Sequence, residues 1–529
     1  VGFDPIRIVK ALMNNMIANK VIEGGSTISQ QMAKNLFLTN EQTLSRKFKE
    51  IFIASQMEMQ YSKEEILESY LNTLYFGHGI YGFHEASQFF FNQELKDCSI
   101  TQITMMIGII NGPSIYSPYI DYEASMDKTH TLLSYLKTNG YLNEEEYQSC
   151  INENINLVKE TYEKSNSSYF IQAVLDEIHH KKIDTSKGLS IYTSYDPNTQ
   201  NALSKSIQKH ATNDECETSG IVLNPENGNI LAISGGKNPT TSEYLRPLYS
   251  KRQVGSTIKP LLYYKALEFG FTPSSSFMSS PTTFQVDDTT VYSPINYAEK
   301  YAYRDISMIN AIAVSDNIYA MKTHLFLGME TLAETLEMFD VQTEALPSLA
   351  LGTSEMTLLQ LTSIYNTFAS MGIYHKPTLI QAIYQEDQVI YENNENYEKF
   401  FDMDTTIILN QMLTSTFDIK NKTVTMPTLY ASAPKVKVAA KSGTSDFDSL
   451  IVGFNPDYTI GIWSGFDDGR ILKEEYFHIS RNVFKDTFNE LYEDDVYAWY
   501  PMTPNIESKI VDPISGKEAL LGSEYWYKK

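Results

Sequence analysis

The stretch RQVGSTIKP, residues 252–260, places a serine and a lysine three positions apart, as Ser256 and Lys259. If a helix begins here, the two side chains lie one turn apart on the same face. A serine hydroxyl is a weak nucleophile without a base, and a lysine buried beside it can lose its proton. Alone, this spacing fits a helix-capping serine with a surface lysine better, so the chemistry needs further support.

Two further motifs supply that support. Ser315-Asp316-Asn317 lies 59 residues after Ser256, and Lys441-Ser442-Gly443-Thr444 follows 126 residues later, directly after the strand-like residues 436–440. The order S-x-x-K, S-x-N, K-[TS]-G is the signature of serine acyl-transferases that react with penicillin. The three motifs predict a fold that brings distant segments to one cleft.

The region around these motifs mixes helices and strands. Apolar runs at residues 220–224 and 229–234 flank the turn Pro225-Glu226-Asn227-Gly228, a good hairpin signal. Further strands are predicted at 189–194, 435–440, 449–454 and 459–465, and helices at 256–269, 308–326 and 357–371. Without regular alternation of strand and helix, the pattern predicts an α+β domain with an antiparallel sheet.

The motifs, with residues 220–236, 252–256 and 349–353, resemble the transpeptidase domain of class A penicillin-binding proteins over about 187–495. The resemblance implies that Ser256 attacks the carbonyl of a D-Ala-D-Ala peptide bond and forms an acyl-enzyme. Lys259 would be the general base, and Ser315 and Asn317 would position the peptide and help to move the proton. An amine from a neighbouring stem peptide would then resolve the acyl-enzyme, while β-lactams would acylate the same serine.

The resemblance also implies how the third motif contributes. Lys441 would supply positive potential for the substrate carboxylate, and Ser442 and Thr444, on either side of Gly443, would hydrogen-bond near it. The backbone N–H groups of Ser256 and Thr444 would form an oxyanion hole. No cofactor is expected for transpeptidation, and no metal site is predicted.

Residues 1–155 have a different character, because apolar residues recur there at helical spacing and no clear strand pattern occurs. Ser62 followed by Glu65 predicts a capping box. We therefore expect an all-α domain at 1–155, a linker at 156–187, the second domain at 188–495 and a C-terminal tail at 496–529.

The helical region contains a cluster of cations. GGSTISQQ, residues 24–31, offers backbone access and neutral donors, and four cations follow within 16 residues: Lys34, Arg46, Lys47 and Lys49. Such a cluster can bind pyrophosphate. A helix cap followed by a solvated basic face is the simpler interpretation of these residues taken alone.

Taken in order, these blocks resemble the family 51, lysozyme-like glycosyltransferase domain of the same class A proteins. The resemblance implies that this domain polymerises lipid II into nascent peptidoglycan. Glu50 would be its second functional carboxylate, assisting departure of the pyrophosphate directly or through a divalent cation, Mg or Mn. The phosphate cleft would be lined by Ser26, Thr27, Gln30, Lys34, Arg46, Lys47 and Lys49.

Two departures from that family's pattern bear on the glycosyltransferase. Its first motif, E-D-x-x-F-x-x-H-x-G, is represented by Gly2 alone, so we expect the chain as given not to polymerise glycan. Gln42 stands where relatives usually have an arginine.

The resemblance also implies where the protein acts. We expect an upstream membrane anchor, and action at the extracytoplasmic face of a bacterial cell membrane with other cell-wall assembly proteins.

Composition and charge argue against one class of partner. The chain has 529 residues and a net charge of −23, with 42 Lys and Arg against 65 Asp and Glu, which argues against a nucleic-acid partner.

Two other functions compete with that of a peptidoglycan synthase. One rival is a D,D-carboxypeptidase or β-lactam hydrolase, in which water resolves the acyl-enzyme. The other is a catalytically idle scaffold or β-lactam sensor in a wall-building complex.

Overall fold

The chain forms two compact units, residues 1–163 and 164–529. The computed structural model describes residues 2–3, 7, 10, 25–37, 44–77, 80–158, 167–185, 188–212, 216–286, 291–385, 388–394, 397–492 and 499–529. Each unit has its own hydrophobic clusters. The units are described separately below.

The first unit is helical in its described residues, as predicted. The Ser62 hydroxyl accepts from the Glu65 N–H while the Glu65 carboxylate accepts from the Ser62 N–H, which confirms the predicted capping box. Its largest core cluster is aromatic and includes Phe76, Phe83 and Phe90. The helices are α1 (Ile28–Phe37), α2 (Leu44–Gln60), α3 (Lys63–Thr73), α4 (Phe83–Phe91), α5 (Ile100–Ile109), α6 (Pro113–Tyr116), α7 (Tyr122–Thr138) and α8 (Glu144–Ile151).

The second unit is built around the predicted antiparallel sheet. Its five strands are β2 (Glu217–Leu223), β3 (Ile230–Ser234), β14 (Ala439–Thr444), β15 (Asp448–Phe454) and β16 (Thr459–Gly465). They are hydrogen-bonded in the order β14-β15-β16-β2-β3. Both faces are covered. Leu450 and Val452 pack into one hydrophobic cluster, and Ile451 between them packs into another, as a period of two residues requires.

Helices cover both faces of this sheet. One cluster joins the sheet to Phe484 and Phe488, and the other joins it to Leu361 and Leu409. The helices of the unit are α9 (Ser168–His180), α10 (Pro197–His210), α11 (Arg246–Tyr249), α12 (Lys259–Glu268), α13 (Met308–Val314), α14 (Asn317–Leu327), α15 (Met329–Glu337), α16 (Leu358–Ala369), α17 (Met403–Leu413) and α18 (Phe477–Leu491).

The same unit contains smaller sheets in addition to the central one. Their strands are β1 (Leu189–Thr193), β4 (Arg252–Gln253), β5 (Ser276–Ser279), β6 (Phe284–Gln285), β7 (Val291–Tyr292), β8 (Arg304–Ser307), β9 (Glu355–Met356), β10 (Ile373–His375), β11 (Ile380–Gln385), β12 (Gln388–Glu392), β13 (Tyr397–Lys399), β17 (Ile506–Val511) and β18 (Ser523–Lys528). The pairing is antiparallel throughout these strands.

Two segments that the sequence sets apart from the second domain pack into its unit. Within 156–187, predicted as a linker, α9 buries Phe170 and Val174 in the same core cluster as the central sheet. Within 496–529, predicted as a tail, β17 and β18 form a two-stranded sheet that buries Tyr525 and Trp526. The apolar side chains of these two short segments are buried in a cluster with residues that are distant in sequence.

Candidate active site

The first motif forms a tight turn at the start of a helix. Residues Gly255–Ile258 make one turn of 3₁₀ helix, and α12 begins at Lys259. Ser256 is half-buried and lines a cleft of about 670 Å³, whereas the Lys259 side chain is fully buried. Gly255 has a left-handed φ of 54°, which favours glycine and aims the turn toward the sheet.

Glycines let this turn lie directly against β14. A Cβ built on Gly443 would be 2.5 Å from the Val254 carbonyl oxygen, and one built on Gly352 would be 1.9 Å from that of Gly255. Such distances cannot be accommodated without movement of the backbone. The glycine of the third motif is therefore required for the close approach of the serine turn to the strand.

The second motif interrupts what the sequence predicts as one helix, 308–326. That prediction is wrong at Ser315, which adopts a left-handed conformation with a φ of 59° and ends α13. Asp316 then caps α14, accepting a hydrogen bond of 2.8 Å from the Tyr319 N–H. The break turns the Ser315 hydroxyl and the Asn317 amide into the cleft.

Lys259 reaches this break from the first motif. Its Nζ lies 2.6 Å from Asn317 Oδ1, 2.9 Å from the Ser315 carbonyl oxygen and 3.3 Å from Ser315 Oγ. Burial lowers the pKa of Lys259 from 10.5 to about 7, although the nearby Asp316 carboxylate opposes the shift. A neutral amine is thus available near neutral pH.

Lys441 approaches the same hydroxyl from the sheet. The sequence places it after a strand at 435–440, whereas β14 spans Ala439–Thr444 and contains it. Its Nζ lies 3.0 Å from Ser315 Oγ and donates to the Ser442 carbonyl oxygen at 2.8 Å. Burial, with help from the charges of Lys259 and Arg481, lowers the pKa of Lys441 well below 10.5.

The Ser315 hydroxyl therefore bridges two buried amines. The Ser256 hydroxyl makes no hydrogen bond within the described part of the chain, although it faces the same cleft. Ser442 and Thr444 of the third motif also line the cleft, while Gly443 is buried behind them. Each motif thus contributes residues to the lining of one cleft, and the two buried lysines reach that lining through the Ser315 hydroxyl.

Sequence reasoning missed the residues that hold the second motif in place. Asn296 is buried, accepts from the Asn317 N–H at 2.7 Å and donates to Asp316 Oδ2 at 2.7 Å. Ser279 donates to the same carboxylate oxygen at 2.5 Å. Asp316 could have been suspected from its place inside the motif, but no local pattern marks Asn296 or Ser279.

A second candidate site lies in the helical unit. Glu50 is buried on α2, where it accepts from Arg46 at 2.9 Å and forms a short ion pair with Lys47. Lys47 also donates to the Ser26 hydroxyl at 2.6 Å. A cavity of about 370 Å³ is lined by Arg7, Ser26, Gln31, Lys34, Arg46, Lys47 and Glu50.

Three residues predicted for this cleft lie elsewhere in the described structure. Gln30 is fully buried, and its side chain accepts from the Thr27 N–H at 3.0 Å. Thr27 in turn donates to the Gly2 carbonyl oxygen at 2.7 Å. Lys49 is exposed, because two residues beyond Lys47 a helix presents a different face. Gln31 and Arg7 were missed, and Gln42 lies outside the described residues.

Comparison with known proteins identifies both units. Residues 1–137 match the Transglycosylase family, and residues 218–468 match the penicillin-binding protein transpeptidase domain. Penicillin-binding protein 2D of Bacillus subtilis is 33% identical over 97% of this chain and 77% of its own length. The chain belongs to the class A penicillin-binding proteins.

Two solved structures share the fold. Penicillin-binding protein 1A of Haemophilus influenzae has a TM-score of 0.63 at 18% identity, covering 95% of this chain and 93% of that one. PonA1 of Mycobacterium tuberculosis in complex with penicillin V has a TM-score of 0.53 at 18% identity, covering 64% and 95%. The predicted two-domain architecture is confirmed.

Membership of the class A penicillin-binding proteins establishes the broad activity. The chain is a peptidoglycan synthase with glycosyltransferase and transpeptidase domains. No helix in the described ranges has the length and apolarity needed to cross a bilayer.

The described residues do not fit a divalent cation in the helical cavity. No group of three or more metal-ligating side chains occurs in the part of the chain that the structure describes. Both oxygens of Glu50 are engaged, one by Arg46 and the other by Lys47. Because two cations already neutralise the carboxylate, Glu50 is poorly suited to ligate a divalent cation here.

Proposed function

We propose that Ser256 is the nucleophile of a D,D-transpeptidase that cross-links peptidoglycan stem peptides. The observation that carries the proposal is the Ser315 hydroxyl, which lies 3.3 Å from the Lys259 amine and 3.0 Å from the Lys441 amine. Buried amines bridged by a hydroxyl form a path for a proton, and Ser256 faces the same cleft. If Ser256 were only a helix cap and Lys259 only a surface lysine, no hydroxyl bridge between two buried amines would be expected.

The first chemical step is formation of the acyl-enzyme. The neutral amine of Lys259, three residues along the chain, takes the proton of the Ser256 hydroxyl. Oγ then attacks the carbonyl carbon of the penultimate D-Ala. The N–H groups of Ser256 and Thr444 stabilise the developing oxyanion, since the two backbones lie against each other at Gly255.

Collapse of this intermediate completes the acylation. The C–N bond to the terminal D-Ala breaks, and the proton held by Lys259 passes through the Ser315 hydroxyl to the departing amine. An amino group of a neighbouring stem peptide then attacks the ester, loses its proton along the same path and releases Ser256. Asn317, whose side chain bonds both Lys259 and the Ile295 carbonyl oxygen, holds the lysine in position.

The helical unit would bind the pyrophosphate of lipid II. Ser26, Lys34, Arg46 and Lys47 line one cavity with Glu50, and cations beside neutral donors suit phosphate oxygens. Glu50 would act as the second functional carboxylate and hold Arg46 and Lys47 toward the leaving pyrophosphate. Because lipid II and nascent peptidoglycan lie outside the cytoplasmic membrane, we place the enzyme at that face, alongside other cell-wall assembly proteins.

Covalent labelling with a fluorescent penicillin tests the proposal for Ser256. Wild-type protein should be labelled stably, with the adduct located on the peptide that contains Ser256, because β-lactams mimic the D-Ala-D-Ala bond. Ser256→Ala should abolish labelling, while Ser293→Ala, at an exposed serine, should not change it.

The same experiment separates the rivals. Rapid release of hydrolysed penicillin would favour a β-lactam hydrolase or carboxypeptidase. Absence of a covalent adduct on folded wild-type protein would favour an idle scaffold or sensor.

A further inference from the structure

The first turn of α18 is hydrogen-bonded to the central sheet beside the third motif, residues 441–444. The Ser449 hydroxyl on β15 donates to the Phe477 carbonyl oxygen at 3.2 Å and lies 2.8 Å from the Ser480 hydroxyl. Ser449 is also the direct partner of Thr444 across the two strands. These contacts fix the first turn of α18 next to the cleft end of β14, and Arg481 follows directly after Ser480.

Arg481 enters the cleft without a partner of its own. Its Nε is buried and unpaired, and the side chain makes no hydrogen bond or ion pair within the described residues. The described residues that line the cleft include Lys300 and Arg481 but no Asp or Glu. A half-buried guanidinium with an unpaired Nε is costly, and a planar anion that accepts two parallel hydrogen bonds would relieve that cost.

Lys441 is poorly placed to supply charge to a ligand. It is fully buried, donates to Ser315 and to the Ser442 carbonyl oxygen, and does not line the cleft. Burial and the neighbouring cations lower the pKa of Lys441, which favours its neutral form. A neutral amine behind the strand can relay a proton, but it offers little attraction to a carboxylate.

We propose that Arg481, rather than Lys441, binds the terminal carboxylate of the D-Ala-D-Ala substrate and the matching carboxylate of penicillins. The assignment rests on the proposed function of Ser256, because the bound carboxylate must lie beside the bond that Ser256 attacks. Ser442 and Thr444 would add hydroxyl contacts to the same group from the adjacent strand. Arg481 therefore determines specificity for substrates that end in a free carboxylate.

The test compares two probes on the full chain: benzylpenicillin, which has the carboxylate, and its methyl ester, which lacks the charge. The measurement is the second-order rate constant for acylation of Ser256 by each probe, and their ratio is the acid preference. Arg481→Gln should lower this ratio by about 10–100-fold, the loss expected for a charge-assisted contact. Lys485→Gln, which removes a cation four residues further along α18 and outside the cleft lining, should leave it within about twofold of wild type.

The outcomes separate the two claims. An unchanged acid preference in Arg481→Gln, with wild-type protein acylated normally, would overturn the role of Arg481 and leave Ser256 as the nucleophile. An equal loss of rate with both probes would do the same, since it indicates a structural effect. No acylation of wild-type protein by either probe would overturn both proposals.

A second variant keeps the test decisive if Arg481→Gln does not fold, as judged by its melting curve. Arg481→Lys retains the charge but cannot form the bidentate contact. Its acid preference should therefore lie between that of wild type and that of an enzyme that reacts equally with both probes. A folded Arg481→Lys protein with the full wild-type preference would contradict a bidentate contact at this residue.

Discussion

Lysines occur in both candidate sites, but the two sites surround them differently. In the transpeptidase cleft, Lys259 and Lys441 are fully buried, and their contacts are hydroxyl, amide and carbonyl oxygens. In the helical cavity, Lys47 keeps 34% of its side chain exposed and pairs with the Glu50 carboxylate. Burial without a direct ion pair favours a neutral amine, whereas an ion pair with a carboxylate favours the charged form.

This difference in surroundings gives lysine a different chemical role in each site. A neutral amine can accept a proton, so the buried lysines suit acid–base catalysis. A partly exposed cation attracts phosphate oxygens and is screened by salt. The surroundings, rather than the residue type, therefore separate a base from an anion-binding group, and variants of each lysine can test the distinction.

The largest expected effect comes from removing the base. Lys259→Met has a similar volume and suits a buried position, but it cannot take the Ser256 proton. Acylation by penicillin should therefore slow by about 10²–10⁴-fold, the usual contribution of a general base. Stopped-flow or quenched labelling would measure the rate, and melting curves would confirm folding.

Lys265→Met is the matched control for Lys259→Met, because Lys265 lies on the same helix with its side chain 27% exposed and paired to Glu268. It should acylate at the wild-type rate. Retention of rapid acylation in Lys259→Met would mean that another group is the base, and the comparison between the two sites would fail.

The next effect is the pH dependence of acylation. Because the pKa of Lys259 is about 7, the amine is neutral above that pH and protonated below it. The acylation rate should rise about tenfold per pH unit below 7 and level off above it, since only the neutral form accepts a proton. From the plateau to pH 5 the loss should approach about 100-fold, of which about twofold has already occurred at pH 7.

The measurement is the penicillin acylation rate at constant ionic strength from pH 5 to 9. An acylation rate that still rises about tenfold per pH unit at pH 9 would show that burial does not neutralise Lys259. A flat profile would exclude the lysine as the base that limits the rate.

Sequence patterns predicted the sheet well where strands are apolar on both faces. Residues 459–465 were predicted as a strand and form β16 over the same span, and 449–454 begins one residue inside β15. β14 was predicted too early, because Lys441 and Ser442 are polar and their burial depends on partners far along the chain. The break at Ser315 depends likewise on contacts with Asn296 and Lys259 rather than on a local signal.

The residues of the candidate sites also differ in whether the sequence alone reveals them. Short motifs marked Ser256, Lys259 and Lys441, because their spacing is itself the signal. Arg481 and Asn296 belong to no motif and reach the transpeptidase cleft only through tertiary packing. In the helical unit, residue type alone could not distinguish Lys47, which lines the cavity, from Lys49, which is exposed.

The smallest expected effect tests the other side of the comparison, the cations of the helical cavity. Lys47→Met should weaken binding of inorganic pyrophosphate to the full chain by about 3–10-fold, because one partly exposed cation contributes about 1 kcal/mol. Titration calorimetry at low and high salt measures the affinity, and the difference between variant and wild type should shrink as salt rises.

Lys49→Met is the matched control, since it removes the same charge two residues away from a side chain that is exposed and outside the cavity lining. It should bind pyrophosphate as wild type does. If both variants lose affinity equally, the cluster acts as a diffuse basic face rather than a site. If neither does, Lys47 serves only to hold Glu50, and the contrast between a base in one unit and a phosphate ligand in the other would be lost.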